Sequence, residues 1–274
     1  SMTFGYDDRG GEYGYWGNSL GALFPKPSYV FKPAHLSLIK DLWRFARIGY
    51  RDLNSGYLSG KTLGEYCTAR GFSAAFLNHY LYPMGAAIWS SPVAEMAAFP
   101  AQPYLHFLEN HGLLRLTNRP QWKYVAGGSR TYVRALLKCL PRAPQLSSAP
   151  VSIRRTESGV VLQMPDGAAL DFDHVVIGAH ADEALQLLAD PSEHEQQQLG
   201  AWRYQPNTVV RPTRRTHPPD DPRLWSSWNF IRDPGYRAAQ RVSGSYYMNR
   251  LQNLQTESAY VVTLIPSTPI PEDA

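Results

Sequence analysis

Aromatic and histidine side chains, not a nucleophile or a metal-ligand set, are the chemistry-bearing residues of this 274-residue chain. From His79 to Ser90 it reads His-Tyr-Leu-Tyr-Pro-Met-Gly-Ala-Ala-Ile-Trp-Ser, which places Tyr80, Tyr82, Met84 and Trp89 around a Pro-Met-Gly break. Flat, polarizable surface of this kind suits the wall of a water-excluding substrate cavity, and it suits a core between two helices equally well. Trp202, Tyr204, Trp228, Tyr247 and Asn249 are the candidates for a facing wall. Gly127-Gly128, between an apolar stretch and an amphipathic one, would let the backbone pass close to a ligand or simply make a tight turn. His79, His106, His111 and His180 follow no ligand or triad spacing, and His180 is set apart only by ending an apolar run. No metal site and no catalytic acid, base or nucleophile is assigned. Gly10-Gly11, Gly14 and Gly17 lack dinucleotide-fingerprint spacing, and no P-loop, zinc helix or nucleophile elbow is present.

The elements that must position these residues can be read from periodicity and punctuation. Glu12 to Trp16 alternates as a strand, and His35 to Ile48 carries Leu36, Ile39, Leu42, Trp43 and Ala46 at helical spacing. Thr62-Leu63-Gly64-Glu65 is a capping box, and Gly71 ends the short helix that it starts. Ser73 to Tyr82 is expected to be a helix stopping at Pro83. Ser91-Pro92 is expected to open another, and Pro103 to Asn110 a third closed by Gly112. Trp122 to Val125 reads as a strand before the glycines, and a helix carrying Tyr132, Val133, Leu136, Leu137 and Leu140 follows them. Val151 to Arg155, Gly159 to Met164 and Ala169 to Phe172 read as a meander, with Pro165-Asp166-Gly167 as a turn. Val175 to Ala179 is unbroken apolar sequence, as in a strand buried on both faces, and Asp182 to Leu188 is helical. Strands are expected at Thr208 to Arg211, Leu224 to Phe230, Ser243 to Met248 and Tyr260 to Ile265. The tail from Pro266 to Ala274 reads as a frayed end.

Bulk composition excludes several function classes. The chain is 43% hydrophobic, 18% charged and 12% aromatic with a net charge of +4, and its basic residues are scattered, Arg154-Arg155 and Arg214-Arg215 being the densest pairs. Nothing tracks a phosphate backbone, so nucleic acid is not an expected partner. No apolar run reaches the ~20 residues that span a bilayer. Two cysteines, Cys67 and Cys139, make no disulfide framework, which fits a reducing cytoplasm. Ser1 before Met2 reads as an expression scar.

The stretch Trp122-Lys123-Tyr124-Val125-Ala126-Gly127-Gly128-Ser129-Arg130-Thr131-Tyr132-Val133, then the Val151 strand, the meander and Asp173-His174-Val175-Val176-Ile177-Gly178-Ala179-His180, resembles the central part of flavin-containing amine oxidases and phytoene-desaturase-like enzymes. A closer resemblance, to a bacterial branch described as predicted NAD/FAD-binding proteins, is carried by five further stretches. These are His79 to Ser90, Asn110-His111-Gly112-Leu113-Leu114, Arg119-Pro120-Gln121-Trp122 with Arg203-Tyr204-Gln205-Pro206-Asn207, and Tyr247-Met248-Asn249-Arg250-Leu251-Gln252. The resemblance implies FAD as cofactor. It places Val151 where a strand backbone meets the adenine, and Ala179 and His180 at the strand end near the dinucleotide, with Gly127 and Gly128 close by. It implies hydride transfer from an apolar or amine-bearing small molecule to flavin, the cavity aromatics lying beside the flavin ring. The family carries a Gly-rich segment before this region and a flavin-covering segment after it, so the chain is expected to be the family's interior. The alternative is a non-catalytic piece that binds an apolar ligand or packs on a partner, a homodimer included. The fold expected is mixed α+β: residues 1–117 a mostly helical first part of a substrate lobe, 118–190 the middle of an FAD-binding lobe, and 191–274 the strand-rich second part of the substrate lobe.

Overall fold

The computed structural model describes residues 4–9, 13–16, 20–115, 120–204, 206–210, 225–232 and 243–264. Glu12, Gly10, Gly11, Gly17, Arg119, Gln205, Arg211, Arg214, Arg215, Leu224, Ile265 and 266–274 lie outside the described residues. The elements begin with β1 (Phe4–Asp8), β2 (Tyr13–Trp16), α1 (Leu20–Leu23), α2 (Pro33–Asn54), α3 (Leu63–Ala69), α4 (Ala74–Phe76), α5 (Tyr82–Trp89) and α6 (Ala101–Asn110). Next come α7 (Arg130–Leu137), β3 (Ser152–Arg155), β4 (Val160–Gln163), β5 (Ala169–Phe172), α8 (Ala181–Leu187) and α9 (Glu193–Gly200). The last are β6 (Val209–Val210), β7 (Trp228–Arg232), β8 (Ser243–Tyr247), α10 (Met248–Leu251) and β9 (Val261–Leu264). They fall into two units, one of residues 1–124 with 207–274 and one of residues 125–206.

In the first unit six strands form one sheet in the order β2-β1-β7-β8-β9-β6. All neighbours run antiparallel except β1 and β7, which are parallel. Because side chains alternate across a strand, register assigns each residue to a face. Tyr6 lies opposite Tyr15 and Phe230, and all three join the helices in the core. Gly5, Trp16, Asn229, Ser245 and Thr263 share the other face. A Cβ on Gly5 would stand 2.5 Å from Trp16 Cδ1 and 3.1 Å from Asn229 Oδ1, so only glycine lets those two side chains cross it.

The helices bury Leu38, Phe45, Leu63, Tyr66, Phe76, Leu81, Met84, Met96, Tyr104, Leu105 and Leu108 in the same core. The inner face of α2 is not the one that apolar residues alone suggest. Leu36 and Trp43 are exposed, whereas His35, Asp41 and Asp52 are buried beside Leu38 and Phe45. Two acids hold this face in place. Asp41 accepts from Ser73 N–H and Arg44, and Asp52 accepts both arms of Arg70 at 2.7 Å. The capping box is present, with Glu65 N–H donating to Thr62 Oγ1 and Thr62 N–H donating to Glu65 Oε2. Thr62→Ala is expected to lower stability by about 1 kcal/mol in chemical denaturation.

Pro83 does not stop its helix, contrary to the sequence expectation. A π turn over Leu77–Leu81 joins α4 to α5, and Tyr82 N–H reaches back to the Leu77 carbonyl. Pro83 has no N–H to give the His79 carbonyl, which instead accepts from the Tyr15 hydroxyl at 2.8 Å. The orphan acceptor that proline creates is satisfied from the sheet, so the chain stays helical. After Ser91 the expected helix is a 3₁₀ segment, Val93–Ala98, with Pro92 at its cap.

The second unit holds the antiparallel meander β3-β4-β5 with α7, α8 and α9. Ala189 N–H returns to the Ile153 carbonyl, which lays the chain after α8 alongside β3. Two expected strands do not form. Trp122 to Val125 is non-regular, and its Trp122 ring stacks on His111 with centroids 5.5 Å apart. Val175 to Ala179 is non-regular too, with Val176 95% exposed. An apolar run becomes a strand only when a neighbouring strand pairs with its N–H and C=O groups, and among the described residues none does. Tyr132, Leu136 and Leu140 on α7 and its end are likewise exposed.

Candidate functional site

The residues expected to meet a cofactor all lie in the second unit. Gly127 and Gly128 take φ of +77° and +80°, conformations that favour glycine, in a turn closed by Gly128 N–H on the Val125 carbonyl. Nothing lies within 4 Å of a Cβ built on Gly128, so its backbone is open to approach. Val151 is 55% exposed, and its N–H is donated to the Gln163 carbonyl at 2.8 Å, which leaves its own carbonyl as the main-chain group for a ligand. Ala179 and His180 immediately precede α8. There His180 N–H is donated to Glu183 and Ala181 N–H to the Tyr204 hydroxyl. The Tyr204 ring lies flat on the His180 imidazole, 4.2 Å away and 3° from parallel. Two main-chain donors at this helix start are thus already used, and His180 offers a ligand its ring.

That pairing also moves two expected wall residues. The sequence expectation puts Trp202 and Tyr204 in the strand-rich part from residue 191, whereas the second unit runs on to residue 206. It does so because α9 packs on α8 and Tyr204 is tied to the start of α8.

The remaining wall candidates are in the first unit and do not converge on one surface. Met84 is buried in the core. Tyr80, half-buried, stacks on Phe76 and meets Phe4 edge-on. Trp89 fits among Phe99, Tyr104 and Phe107 with centroids 4.7, 5.3 and 5.0 Å away. Tyr82 is half-buried at the start of α5, and burial raises its pKa. Trp228 and Tyr247 sit on opposite faces of the sheet: Trp228 pairs with Tyr246, and Tyr247 with Val261. The Asn249 side chain closes the loop to β9, donating to the Ser258 carbonyl and accepting from Tyr260 N–H, both at 2.7 Å. It is a loop clamp in this arrangement.

Two groups escaped the sequence reading. One is the polar face of the sheet, where Asn229, Ser243, Ser245 and Thr263 are all buried. Ser245 and Thr263 share a hydrogen bond of 2.9 Å, while Trp16 Nε1 and Ser243 Oγ are buried without a partner among the described residues. Single serines and threonines in strands carry no sequence signal of burial. The other is a cluster of Tyr6, Tyr13, Tyr15, Tyr29, His35 and His79, gathered from five separate elements. Only the alternation Tyr13-Gly14-Tyr15 hinted at it. No group of three metal-ligating side chains occurs among the described residues, and no described helix is long and apolar enough to cross a membrane. Burial pushes the Cys67 thiol up to about 12, far from a reactive thiolate.

Comparison with known proteins gives the arrangement its context. No curated protein matches the chain. Among solved structures, a fatty acid isomerase from P. acnes, described as producing CLA, superposes with a TM-score of 0.59 at 13% identity. A putrescine oxidase redesigned in its cofactor binding superposes at 0.58 and 11%. The alignments cover 98% and 96% of this chain, but only 60% and 57% of those proteins. At such identities the likeness is one of fold: mixed helix and sheet of the amine-oxidase type. The sequence itself matches the family of flavin containing amine oxidoreductases over residues 53–248, which is more than half of the chain and touches both units. The chain therefore belongs to the flavin containing amine oxidoreductase family.

Proposed function

We propose that this chain is the substrate lobe, with the middle segment of the flavin-binding lobe, of an FAD-dependent oxidoreductase acting on an apolar or amine-bearing small molecule. The observation that carries this reading is the family match over residues 53–248 together with the fold likeness along nearly the whole chain. When bound, FAD supplies the hydride-accepting chemistry. The residues in place suit a ligand held by main chain: an open glycine turn at Gly127-Gly128, the Val151 carbonyl and the exposed His180 ring. They supply few donors for a pyrophosphate, since His180 and Ala181 N–H are taken. FAD binding in this reading depends on further strand and helix elements covering the bare residues Tyr132, Leu136 and Val176. In the first unit Tyr80, Met84 and Trp89 pack into the core, so in this reading they support a substrate cavity from behind. No general base is assigned, because hydride loss to a flavin does not require one.

The test is retention of flavin. Protein made from the complete reading frame is expected to carry a yellow, flavin-like absorbance through gel filtration, and the 274-residue chain by itself to lose it. A colourless full product overturns the proposal. The same exposed apolar residues favour a second reading, a non-catalytic piece that packs on a partner or on itself. A flavin-free full product that elutes as a stable dimer would select it.

A further inference from the structure

The cluster of four tyrosines and two histidines serves no step of the proposed oxidation, yet it fixes the edge hairpin of the six-stranded sheet. Tyr13 Oη and His35 Nδ1 are hydrogen-bonded at 2.7 Å, and Tyr6 Oη and His79 Nδ1 at 3.1 Å. Tyr15 donates to the His79 carbonyl, and Gly14 N–H donates to the Tyr29 hydroxyl. Tyr13 and Tyr29 stack at 5.4 Å and 7°, and Tyr13 lies 4.8 Å from the His79 ring. Thus two of these four hydrogen bonds, which tie β1 and β2 to the helical segments, run through imidazoles.

We propose that this cluster is an acid-sensitive latch: protonation of His35 and His79 releases the β1–β2 hairpin from the helices while the rest of the first unit stays folded. The His35 ring is fully buried and enclosed by Tyr13, Tyr15, Phe24 and Tyr29. Among the described residues its Nε2 makes no hydrogen bond of good geometry, although the Leu23 carbonyl lies beside it. The charged group nearby is Lys32, whose ammonium sits 4.6 Å over Tyr29 and 5.9 Å over Tyr13. Among the described residues a second positive charge here has no anion to meet. His79 faces Tyr6 and Tyr13 from the hairpin, with Asp8 on β1 and Arg232 on β7 as its charged neighbours. Those two pair with each other at 3.6 Å, which blunts the help that Asp8 gives an imidazolium.

Burial lowers the pKa of both imidazoles; the Leu23 carbonyl opposes this at His35 and Asp8 at His79, and Lys32 and Arg232 reinforce it. With folded values depressed, the unfolded chain binds more protons below its ordinary histidine value of about 6.5. Stability is therefore complete above that value and falls as pH drops below it. Carboxylates act in a separate window. Burial pushes the Asp41 carboxyl up, but Ser73 and Arg44 overcome this and hold it below its ordinary value, so its contribution is lost only at more acid pH.

The experiment is hydrogen exchange followed by mass spectrometry on the unmodified protein at neutral pH and about one unit below the ordinary histidine value, corrected for intrinsic exchange rates. Peptides covering 4–16 and 27–36 are expected to lose protection at least tenfold, while 63–69 and 101–110 keep theirs. Equal change in all peptides, or none in the hairpin, overturns the latch. A second measurement is the thermal midpoint of the His35→Gln, His79→Gln double variant across the same pH range. A flat profile where the parent's falls supports the latch, and a parallel fall overturns it. If the double variant does not fold, the exchange experiment alone decides. Neither readout requires flavin, so either can fail without touching the oxidoreductase proposal.

Discussion

Asp52→Ala is expected to destabilise the protein by ~2–3 kcal/mol, because it removes a buried carboxylate that accepts from a partly buried guanidinium and a buried hydroxyl. Asp52 is 1% exposed on α2 and takes both arms of Arg70 at 2.7 Å and the Tyr66 hydroxyl at 3.2 Å. The Arg70 guanidinium also lies 3.9 Å over the Tyr57 ring, so it is fixed in place and has little freedom to find another anion. Removing the carboxylate leaves Tyr66, itself fully buried, with an unsatisfied hydroxyl. Urea unfolding of the purified variant measures the loss. A change under about 1 kcal/mol, the range of an exposed ion pair, would show that α2 and α3 are not held together in this way.

Tyr104→Ala is the second large effect, at ~3–5 kcal/mol for emptying the site of a fully buried ring. Its hydroxyl donates to the Leu81 carbonyl at 2.7 Å, at the end of the π turn, and its ring supports Trp89. Gly85 is required here, because a Cβ at that position would stand 2.7 Å from Tyr104 Cε2 and 2.6 Å from Met96 Cε. Tyr104→Phe keeps the ring and removes only the donor, and is expected to cost about 1–2 kcal/mol. The difference between the two variants separates packing from the hydrogen bond. Equal losses would mean that the Leu81 carbonyl, not the ring, is what Tyr104 serves.

Local chemistry was legible in the sequence where the physics is local. Thr62 with Glu65 marked a helix start, Gly71 and Gly112 marked ends at φ of +62° and +66°, and Pro165-Asp166-Gly167 placed the turn of the meander. The failures are all non-local. Pro83 stays inside a helix because Tyr15, far away in sequence, supplies the donor its neighbouring carbonyl needs. Trp122 to Val125 and Val175 to Ala179 have the composition of strands but find no ladder partner among the described residues. The inner face of α2 was misread because His35, Asp41 and Asp52 are buried polar residues that an apolar pattern cannot reveal. The candidate site suffered in the same way. Aromatic type does not say which face of a strand or helix a ring occupies, so Trp228 and Tyr247 were grouped although register separates them. Chain position alone puts His180 and Tyr204 in different lobes, yet their rings stack.

Reduction of bound flavin by substrate tests the central claim most directly. The product of the complete reading frame, with FAD, is mixed without oxygen with a set of apolar amines and long apolar chains. The absorbance of oxidised flavin is expected to bleach with at least one of them and to return when oxygen or another electron acceptor is admitted. A flavin that stays oxidised throughout the set, or a product that takes up none, would contradict the assignment of this chain to an FAD-dependent oxidoreductase.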